Sequence, residues 1–250
     1  MQGSQNSLVA YFDILGYQSF LKSNSALATA EKVFELVKGA PTKAIAHWSK
    51  SESFKSKEGQ AAVDSVKSLV FSDTIVISCP VETNISQELR SMLIAVISIR
   101  VAKHMFQDGL PVRGAITFGS FVFDETCIAG EAVVDAHTLC QTLDVAGVAF
   151  SSKFSQLVDK SPNKGFWDRQ FPYYLFPLRD QTEFKTRSVP WSNDESVDNT
   201  QKVREAFWKW NKDIPLSADS KVRNTAKMLD FHRMHFRQVS KGKELADEKV

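Results

Sequence analysis

The chain has 250 residues, of which 43% are hydrophobic and 24% are charged, and its formal net charge is +2. These values fit one large globular domain, or one domain with an appendage, and the near-neutral charge gives no support for binding nucleic acid or membranes by bulk electrostatics. The sequence has three widely spaced cysteines without a Cys-x-x-Cys pair, a polar first stretch, and no apolar run near the ~20 residues of a membrane span. We therefore expect a soluble cytoplasmic protein without a disulfide framework, structural zinc, signal peptide or membrane helix.

The first predicted element is an apolar strand over 8–17, which delivers Asp13 into a turn. Apolar residues at helical spacing predict a helix over 26–50, broken near the glycine and proline of 39–41. The polar stretch 51–60 indicates a loop or a helix end.

A second carboxylate follows about sixty residues later, between two further apolar runs. Strands over 66–71 and 74–79 flank Ser72 and Asp73, which is the pattern of a β-hairpin with these two residues at its tip. A long helix over 87–107 follows, with polar N-cap candidates in front of it.

The next segments complete an alternating pattern of strands and helices. A strand is predicted over 112–119, with Arg113 at its start, followed by a hairpin return over 120–128, a helix over 131–143 and a strand over 145–150. The order β-α-β-β-α-β is typical of the ferredoxin-like antiparallel sheet. In that sheet, the two carboxylates would lie at the same edge of adjacent central strands.

The C-terminal part of the chain gives weaker patterns. A strand is predicted over 173–176, a loop over 182–198, two helices over 201–211 and 217–239, and a charged, frayed end over 240–250.

The two strand-end aspartates are the residues most indicative of chemistry. A pair of positioned carboxylates is a hard-oxygen site suited to Mg²⁺ or Mn²⁺ that carries a phosphorylated substrate. For Asp13 alone, the simpler interpretation is a turn former whose side chain binds local backbone amides.

Four motifs in this order make the sequence resemble the class III nucleotidyl cyclase catalytic domain. They are FDILGY at 12–17, FSD at 71–73, RGAI-x-x-G at 113–119 and GEAVVDA at 130–136. The resemblance covers about 8–150 and implies an α+β fold: a ferredoxin-like βαββαβ class III nucleotidyl cyclase catalytic domain with a central antiparallel sheet and a C-terminal helical extension.

The resemblance also implies roles for particular residues. Asp13 and Asp73, with the backbone of Ile14, would hold two divalent ions, Mn²⁺ or Mg²⁺, one on the triphosphate and one on the attacking ribose 3′-hydroxyl. Residues expected to contact the bound nucleotide are Leu15, Gly16, Tyr17 and Ser72. Arg113 would be a catalytic cation at the phosphates or in the wall of the site, with a surface ion pair as the alternative.

Departures from the family pattern bear on the nucleobase. Purine-specific members carry polar base-reading residues where this chain has Leu69 and Cys127. The family also places an asparagine and an arginine, which stabilise the transition state, where this chain has Val134 and Thr138. This combination is similar to the bacterial pyrimidine cyclases of Pycsar anti-phage systems. That resemblance implies a homodimer with active sites at its interface, conversion of UTP to 3′,5′-cyclic UMP and diphosphate, and a separate effector protein that responds to the product.

Other interpretations remain open at the level of sequence. A cytidylate cyclase acting on CTP, a purine cyclase with an unusual pocket, and a degenerate nucleotide-binding regulatory module all fit the motifs. A plain interaction protein with a ferredoxin-like sheet, which would bind neither nucleotide nor metal, is a further alternative. We divide the chain into a catalytic domain over 8–160 and an extension over 161–250 packed on the same domain.

Overall fold

A computed structural model describes residues 5–23, 27–81, 84–124, 127–191, 199–210 and 218–247. The strands in these ranges are β1 (Gln5–Ile14), β2 (Lys67–Phe71), β3 (Thr74–Pro80), β4 (Val112–Asp124), β5 (Cys127–Ala129), β6 (Val148–Phe150), β7 (Tyr173–Pro177) and β8 (Glu183–Arg187). The α-helices are α1 (Tyr17–Ser23), α2 (Leu27–Ser49), α3 (Lys57–Asp64), α4 (Gln87–Gln107), α5 (Glu131–Thr142), α6 (Ser152–Asp159), α7 (Lys164–Gln170), α8 (Asn199–Trp208) and α9 (Ala218–Asp247).

The main sheet has the strand order β2-β3-β1-β4-β5, and its neighbouring strands are antiparallel. The short strand β6 pairs with β4 in parallel. Taken in chain order, β1, α2, β2, β3, α4 and β4 give the ferredoxin-like arrangement, so the predicted α+β fold with a C-terminal helical extension is confirmed. The two central strands β1 and β3 are neighbours, as predicted.

Strand β1 is buried on both faces of this sheet. Leu8, Ala10 and Phe12 belong to the larger core, which includes residues of α2 and α4, whereas Val9 and Tyr11 pack with residues of α5. Because side chains alternate along a strand, Asp13 follows Tyr11 on the α5 side. This alternation decides which helix faces the carboxylate.

The predicted break near 39–41 is wrong, because α2 continues through Gly39 and Pro41. Val33, Val37, Ala40 and Ala44 are each at most 2% exposed and recur at helical spacing, so the packed face spans the proline. Burial of this face offsets the helix hydrogen bond that proline cannot donate.

Several other boundaries differ from the sequence predictions. Over 51–60, where a loop or a helix end was predicted, there is a single 3₁₀ turn and then the start of α3, whose N-cap Ser56 accepts a hydrogen bond from the amide of Gly59. Strand β4 continues to Asp124, past the predicted end at 119, because β1 pairs with it as far as Phe121. The predicted hairpin of β2 and β3 and the helix α4 are confirmed.

The C-terminal segment differs most from its prediction. Strand β8 occupies part of the predicted loop, since it pairs along its length with β7; the loop expected over 192–198 lies outside the described residues. The segment predicted to be frayed is helical as far as Asp247.

Polar contacts fasten this segment to the sheet domain. The hydroxyl of Thr225 on α9 accepts a hydrogen bond from the amide of Ala146 at 2.8 Å. The fully buried Arg187 on β8 forms an ion pair with Asp159 of the catalytic-domain range at 2.6 Å, and a second one within the extension with Asp168 at 2.5 Å. None of the helices in the described ranges combines the length and apolar character that a membrane span requires.

His232 on α9 makes the stability of this packing dependent on pH. The imidazole is buried, contacts the Ser188 hydroxyl at 2.8 Å, and has its pKa lowered to about 3, mainly by burial. Protonation therefore favours the unfolded state, whose histidine pKa is about 6.5. Stability contributed by the neutral imidazole is full above that value and falls with pH toward 3, by up to about 1.4 kcal/mol per pH unit.

We expect the free energy of unfolding to decrease between pH 7 and pH 5 in urea denaturation, and His232→Gln to remove much of that decrease. The exposed His137, changed to Gln, is the control and should leave the pH dependence in place. Equal slopes in the wild type and in His232→Gln would contradict the assignment.

Candidate active site

Asp13 lies near the end of β1, opposite Thr74 of β3 and Arg113 of β4 in the strand registers. Its side chain is 13% exposed. A carboxylate in such surroundings requires a partner, because burying an unpaired charge is costly.

That partner is Arg113, whose side chain is 5% exposed. Its Nε and Nη2 donate to the same oxygen, Oδ2 of Asp13, at 2.8 and 2.7 Å. Gln141 of α5 holds the guanidinium from the other side, through its Oε1 at 2.5 Å and its backbone carbonyl at 3.3 Å. The pair between Arg113 and Asp13 is therefore buried and not at the surface, and Oδ1 of Asp13 has no hydrogen-bond partner among the described residues.

Asp73 lies at the tip of the β2–β3 hairpin, beside the end of β1. Its carbonyl accepts a hydrogen bond from the amide of Ile14 at 3.0 Å, which fixes the tip next to Asp13. The preceding Ser72 has φ +54°, the left-handed conformation that allows the tight two-residue turn. The Asp73 side chain is half-buried, and none of the described residues donates a hydrogen bond to its carboxylate.

Two tyrosines lie close to the carboxylates: Tyr11, which was absent from the predicted site, is near both, and Tyr17 is near Asp73. The Tyr11 hydroxyl is 3.2 Å from the Thr74 hydroxyl. Burial raises the pKa of Tyr11, and the charges of Asp13 and Asp73 act in the same direction. Burial also raises the pKa of Tyr17, with a contribution from Asp73. The sequence could have indicated this position, because Tyr11 lies two residues before Asp13 on a strand and therefore on the same face.

The turn after β1 offers fewer free amides than its sequence indicates. The amide of Leu15 donates to the carbonyl of Pro111 at 2.9 Å, and that of Ile14 is engaged by Asp73. Gly16 adopts φ +81°, and its carbonyl accepts from the amide of Phe20 in the first turn of α1. Contacts with a nucleotide stay predictions for four residues: Leu15, Gly16, Tyr17 and Ser72. The amide of Leu15 is already bonded to Pro111, so it cannot donate to a phosphate.

Gly130 precedes α5 and allows the start of this helix to pack closely against β4. Its φ is +132°, and a Cβ atom there would lie 2.3 Å from the carbonyl oxygen of Ser120. Any other residue would push α5 away from β4, and α5 carries the Gln141 that holds Arg113.

Arg179 in the β7–β8 turn adds a cation that sequence reasoning missed. Its amide donates to the carbonyl of Thr142 at 2.9 Å, which places the turn at the end of α5. Burial and the charge of Arg113 lower the pKa of Arg179, whereas the charge of Asp13 opposes that effect. The residue is exposed and forms no ion pair with the described residues, so its charge is available to a ligand.

The four positions that departed from the family pattern contain no polar cluster. Leu69 is half-buried on β2, and Cys127 is exposed on β5. Val134 and Thr138 are both exposed, one turn apart on α5.

The donor set fits a divalent cation that arrives with its substrate. Two neighbouring carboxylates, one with an oxygen free of hydrogen bonds, can supply part of the octahedral shell of Mg²⁺ or Mn²⁺, and phosphate oxygens and water complete such shells. Within the described ranges, no three His, Cys, Asp or Glu side chains cluster in a way that could hold a metal by themselves.

No family model and no curated protein matches this sequence. Among solved structures, the fold is similar to the adenylyl cyclase CyaB from P. aeruginosa, with 12% identity and a TM-score of 0.47 over 78% of this chain and 97% of that chain. It is also similar to an adenylate/guanylate cyclase/hydrolase from Silicibacter pomeroyi, with 15% identity and a TM-score of 0.45 over 76% and 99% of the two chains. A third similar structure is the catalytic core of a rhodopsin-guanylyl cyclase with converted specificity in complex with ATPαS, with 11% identity and a TM-score of 0.48 over 74% and 95%. These similarities concern the fold. The chemistry of the present chain is argued from its own side chains.

Arg113→Ala should lower the free energy of unfolding by about 3 kcal/mol, because it leaves the carboxylate of Asp13 buried without its partner. The double variant Arg113→Ala/Asp13→Ala should recover part of this loss, since it removes both charges. Urea denaturation of the wild type, both single variants and the double variant measures the coupling. Additive losses would show that the two side chains do not interact.

Proposed function

We propose that this protein is a nucleotidyl cyclase that converts a pyrimidine nucleoside triphosphate, UTP in the first instance, to its 3′,5′-cyclic monophosphate and diphosphate. The observation that carries the proposal is the side-by-side placement of Asp13 and Asp73 at one edge of the central sheet, with Asp13 oriented by Arg113. The sequence resemblance to class III cyclases supports the same assignment.

The carboxylates would act on a nucleotide through divalent ions. Asp13, through the oxygen that Arg113 leaves free, and Asp73 would hold two Mg²⁺ or Mn²⁺ ions, with the backbone of Ile14 as a further ligand. When bound, these ions supply charge neutralisation at the phosphates and lower the pKa of the ribose 3′-hydroxyl. Arg113 keeps the Asp13 carboxylate in one orientation, and Arg179 provides positive charge toward the triphosphate.

The choice of a pyrimidine base rests on the missing purine readers. Leu69 and Cys127 lack the charged side chains with which purine-specific relatives of the resembled family read the base. Cytidylate cyclase activity on CTP is the nearest alternative. By the same resemblance, the cyclic product would act as a second messenger in anti-phage defence through a separate effector protein.

A homodimer with sites at its interface fits two exposed apolar side chains, of which Phe71 lies beside the carboxylates. Phe71 is 76% exposed and pairs with Thr74, which in turn lies opposite Asp13. Val134 on α5 is 60% exposed. A second copy of the chain that covers Phe71 would lie against the carboxylates.

Purified protein incubated with ATP, GTP, CTP and UTP and Mn²⁺ should release diphosphate and form cyclic UMP, detected by mass spectrometry. Asp13→Asn and Asp73→Asn should each lower turnover by at least about 10²–10³-fold, as the loss of a transition-state contact does. Asp73→Asn is the cleaner variant, because its carboxylate has no described partner whose loss would affect folding. Asp64→Asn, on the exposed end of α3, is the matched control.

Cyclic CMP in place of cyclic UMP would change the base and keep the mechanism. Full activity of either aspartate variant would overturn the metal assignment.

A second candidate function has one observation in its favour. Val134 and Thr138 stand where the resembled family has the asparagine and arginine that stabilise the transition state, which fits a site that binds a nucleotide without turning it over. Metal-dependent nucleotide binding without diphosphate release from any of the four nucleotides would establish that regulatory role.

Arg179→Gln should raise the KM for the nucleotide about tenfold, because a charge-assisted hydrogen bond contributes about 1.5–3 kcal/mol. Lys185→Gln, in the same hairpin and also exposed, is the control and should behave as the wild type. Steady-state kinetics separates KM from kcat. A KM within about twofold of the wild type would remove Arg179 from the site.

A further inference from the structure

Two hydroxyl groups lie beside the carboxylates on the same face of the sheet. Thr74 follows Asp73 in the chain and lies opposite Asp13 in the β1–β3 register. Directly opposite residues of antiparallel strands project from one face, with their Cβ atoms about 4.5–5.5 Å apart. The side chain of Thr74 is therefore an immediate neighbour of the Asp13 carboxylate, and the Tyr11 hydroxyl lies 3.2 Å from the hydroxyl of Thr74.

The hydrogen bond between these two hydroxyls leaves part of their capacity unused. Each hydroxyl can donate one hydrogen and can also accept, and neither bonds to any other group of the described residues. Tyr11 is 7% exposed, so its hydrogen needs an acceptor within the protein, and Thr74 supplies that acceptor. The hydroxyl of the half-buried Thr74 then keeps its own hydrogen and one lone pair for a ligand.

The proposed reaction brings a sugar hydroxyl to this group. It requires the ribose 3′-hydroxyl to lie at the carboxylates of Asp13 and Asp73, and the 2′-hydroxyl is on the adjacent carbon of the same ring. Asp13 has one neighbour on each adjacent strand, Arg113 on β4 and Thr74 on β3. Arg113 is committed to the carboxylate, so Thr74 is the neighbour that has hydrogen-bonding capacity left for the sugar.

On the basis of the proposed function, and depending on it, we infer that the hydroxyl of Thr74, oriented by Tyr11, binds the ribose 2′-hydroxyl and selects ribonucleotides over 2′-deoxyribonucleotides. A 2′-hydroxyl both donates and accepts, and the Thr74 hydroxyl has one hydrogen and one lone pair to match it. A phosphate oxygen only accepts, so it would use only the hydrogen of Thr74.

The first test measures binding without turnover, by isothermal titration calorimetry of the full chain with Mn²⁺. 3′-Deoxy-UTP has the 2′-hydroxyl, 2′,3′-dideoxy-UTP lacks it, and neither can cyclise. The first analogue should bind at least about tenfold more tightly, because a site built around a hydroxyl rejects ligands without one. Thr74→Val keeps the β-branched shape and removes the hydroxyl. It should weaken 3′-deoxy-UTP to the level of the dideoxy analogue, whose own affinity should stay within about twofold of its wild-type value.

Three further variants separate recognition from folding. Thr74→Ser keeps a hydroxyl and should retain most of the preference. Tyr11→Phe leaves the Thr74 hydroxyl free to rotate and should reduce the preference only in part. Thr42→Val makes the same replacement on an exposed position of α2 and should bind both analogues as the wild type does. The melting temperature shows whether each variant is folded.

Turnover gives an independent readout, since 2′-deoxy-UTP retains the attacking 3′-hydroxyl. Its kcat/KM should lie at least about tenfold below that of UTP, and Thr74→Val should bring the two values within about twofold of each other. An equal loss for both substrates in a folded Thr74→Val would assign the hydroxyl to a phosphate or to the fold and would overturn the inference.

The binding experiment distinguishes this contact from the proposed function. Equal binding of the two analogues by the wild type would overturn the 2′-hydroxyl contact and leave the nucleotide site in place. The expected preference in binding, with no cyclic product from any nucleotide, would support the contact and remove the proposed turnover. Failure of both analogues to bind would overturn the nucleotide site and the contact together.

Discussion

The buried ion pair between Asp13 and Arg113 is the constraint on which the candidate active site depends. A carboxylate that is 13% exposed at the end of a central strand is stable only with a charged partner, and Arg113 supplies it from the adjacent strand. Nε and Nη2 of the guanidinium both donate to one oxygen, so the interaction holds that oxygen in place and leaves the other oxygen without a partner among the described residues. Gln141 extends this restraint to α5, and the glycine at the start of α5 lets the helix lie close enough to β4 for the contact to form.

The C-terminal segment packs on the sheet domain and brings a cation next to the candidate site. Its β7–β8 turn places Arg179 near Asp13 and Arg113, while α9 and the buried Arg187 hold the segment against the sheet domain. With Arg113 committed to Asp13, Arg179 is a cation that remains available for phosphate. The mixture of two carboxylates and one available cation suits a metal–nucleotide complex, which carries charge of both signs.

Much of the fold followed from local patterns. The β2–β3 hairpin and α4 were predicted closely, since strand alternation, a two-residue turn and an N-cap serine are local signals. The full length of helix α2 was not predicted, because the helix continues through Pro41 only by packing against residues of other elements. Asp13 and Asp73 were expected at one sheet edge, and they lie there. The contacts of Gln141 and Arg179, by contrast, join residues distant in the sequence, for which no spacing rule exists. The metal and nucleotide roles of the predicted site residues rest on chemistry and stay predictions.

The most direct test of the central claim is a crystal structure with 3′-deoxy-UTP, which cannot cyclise, and Mn²⁺, with data collected at the manganese absorption edge. The account predicts anomalous density bound by the free oxygen of Asp13 and by the Asp73 carboxylate, with the ion pair to Arg113 preserved. Nucleotide bound with no manganese at these carboxylates, or an Asp13 side chain held entirely by Arg113 through both oxygens, would contradict it.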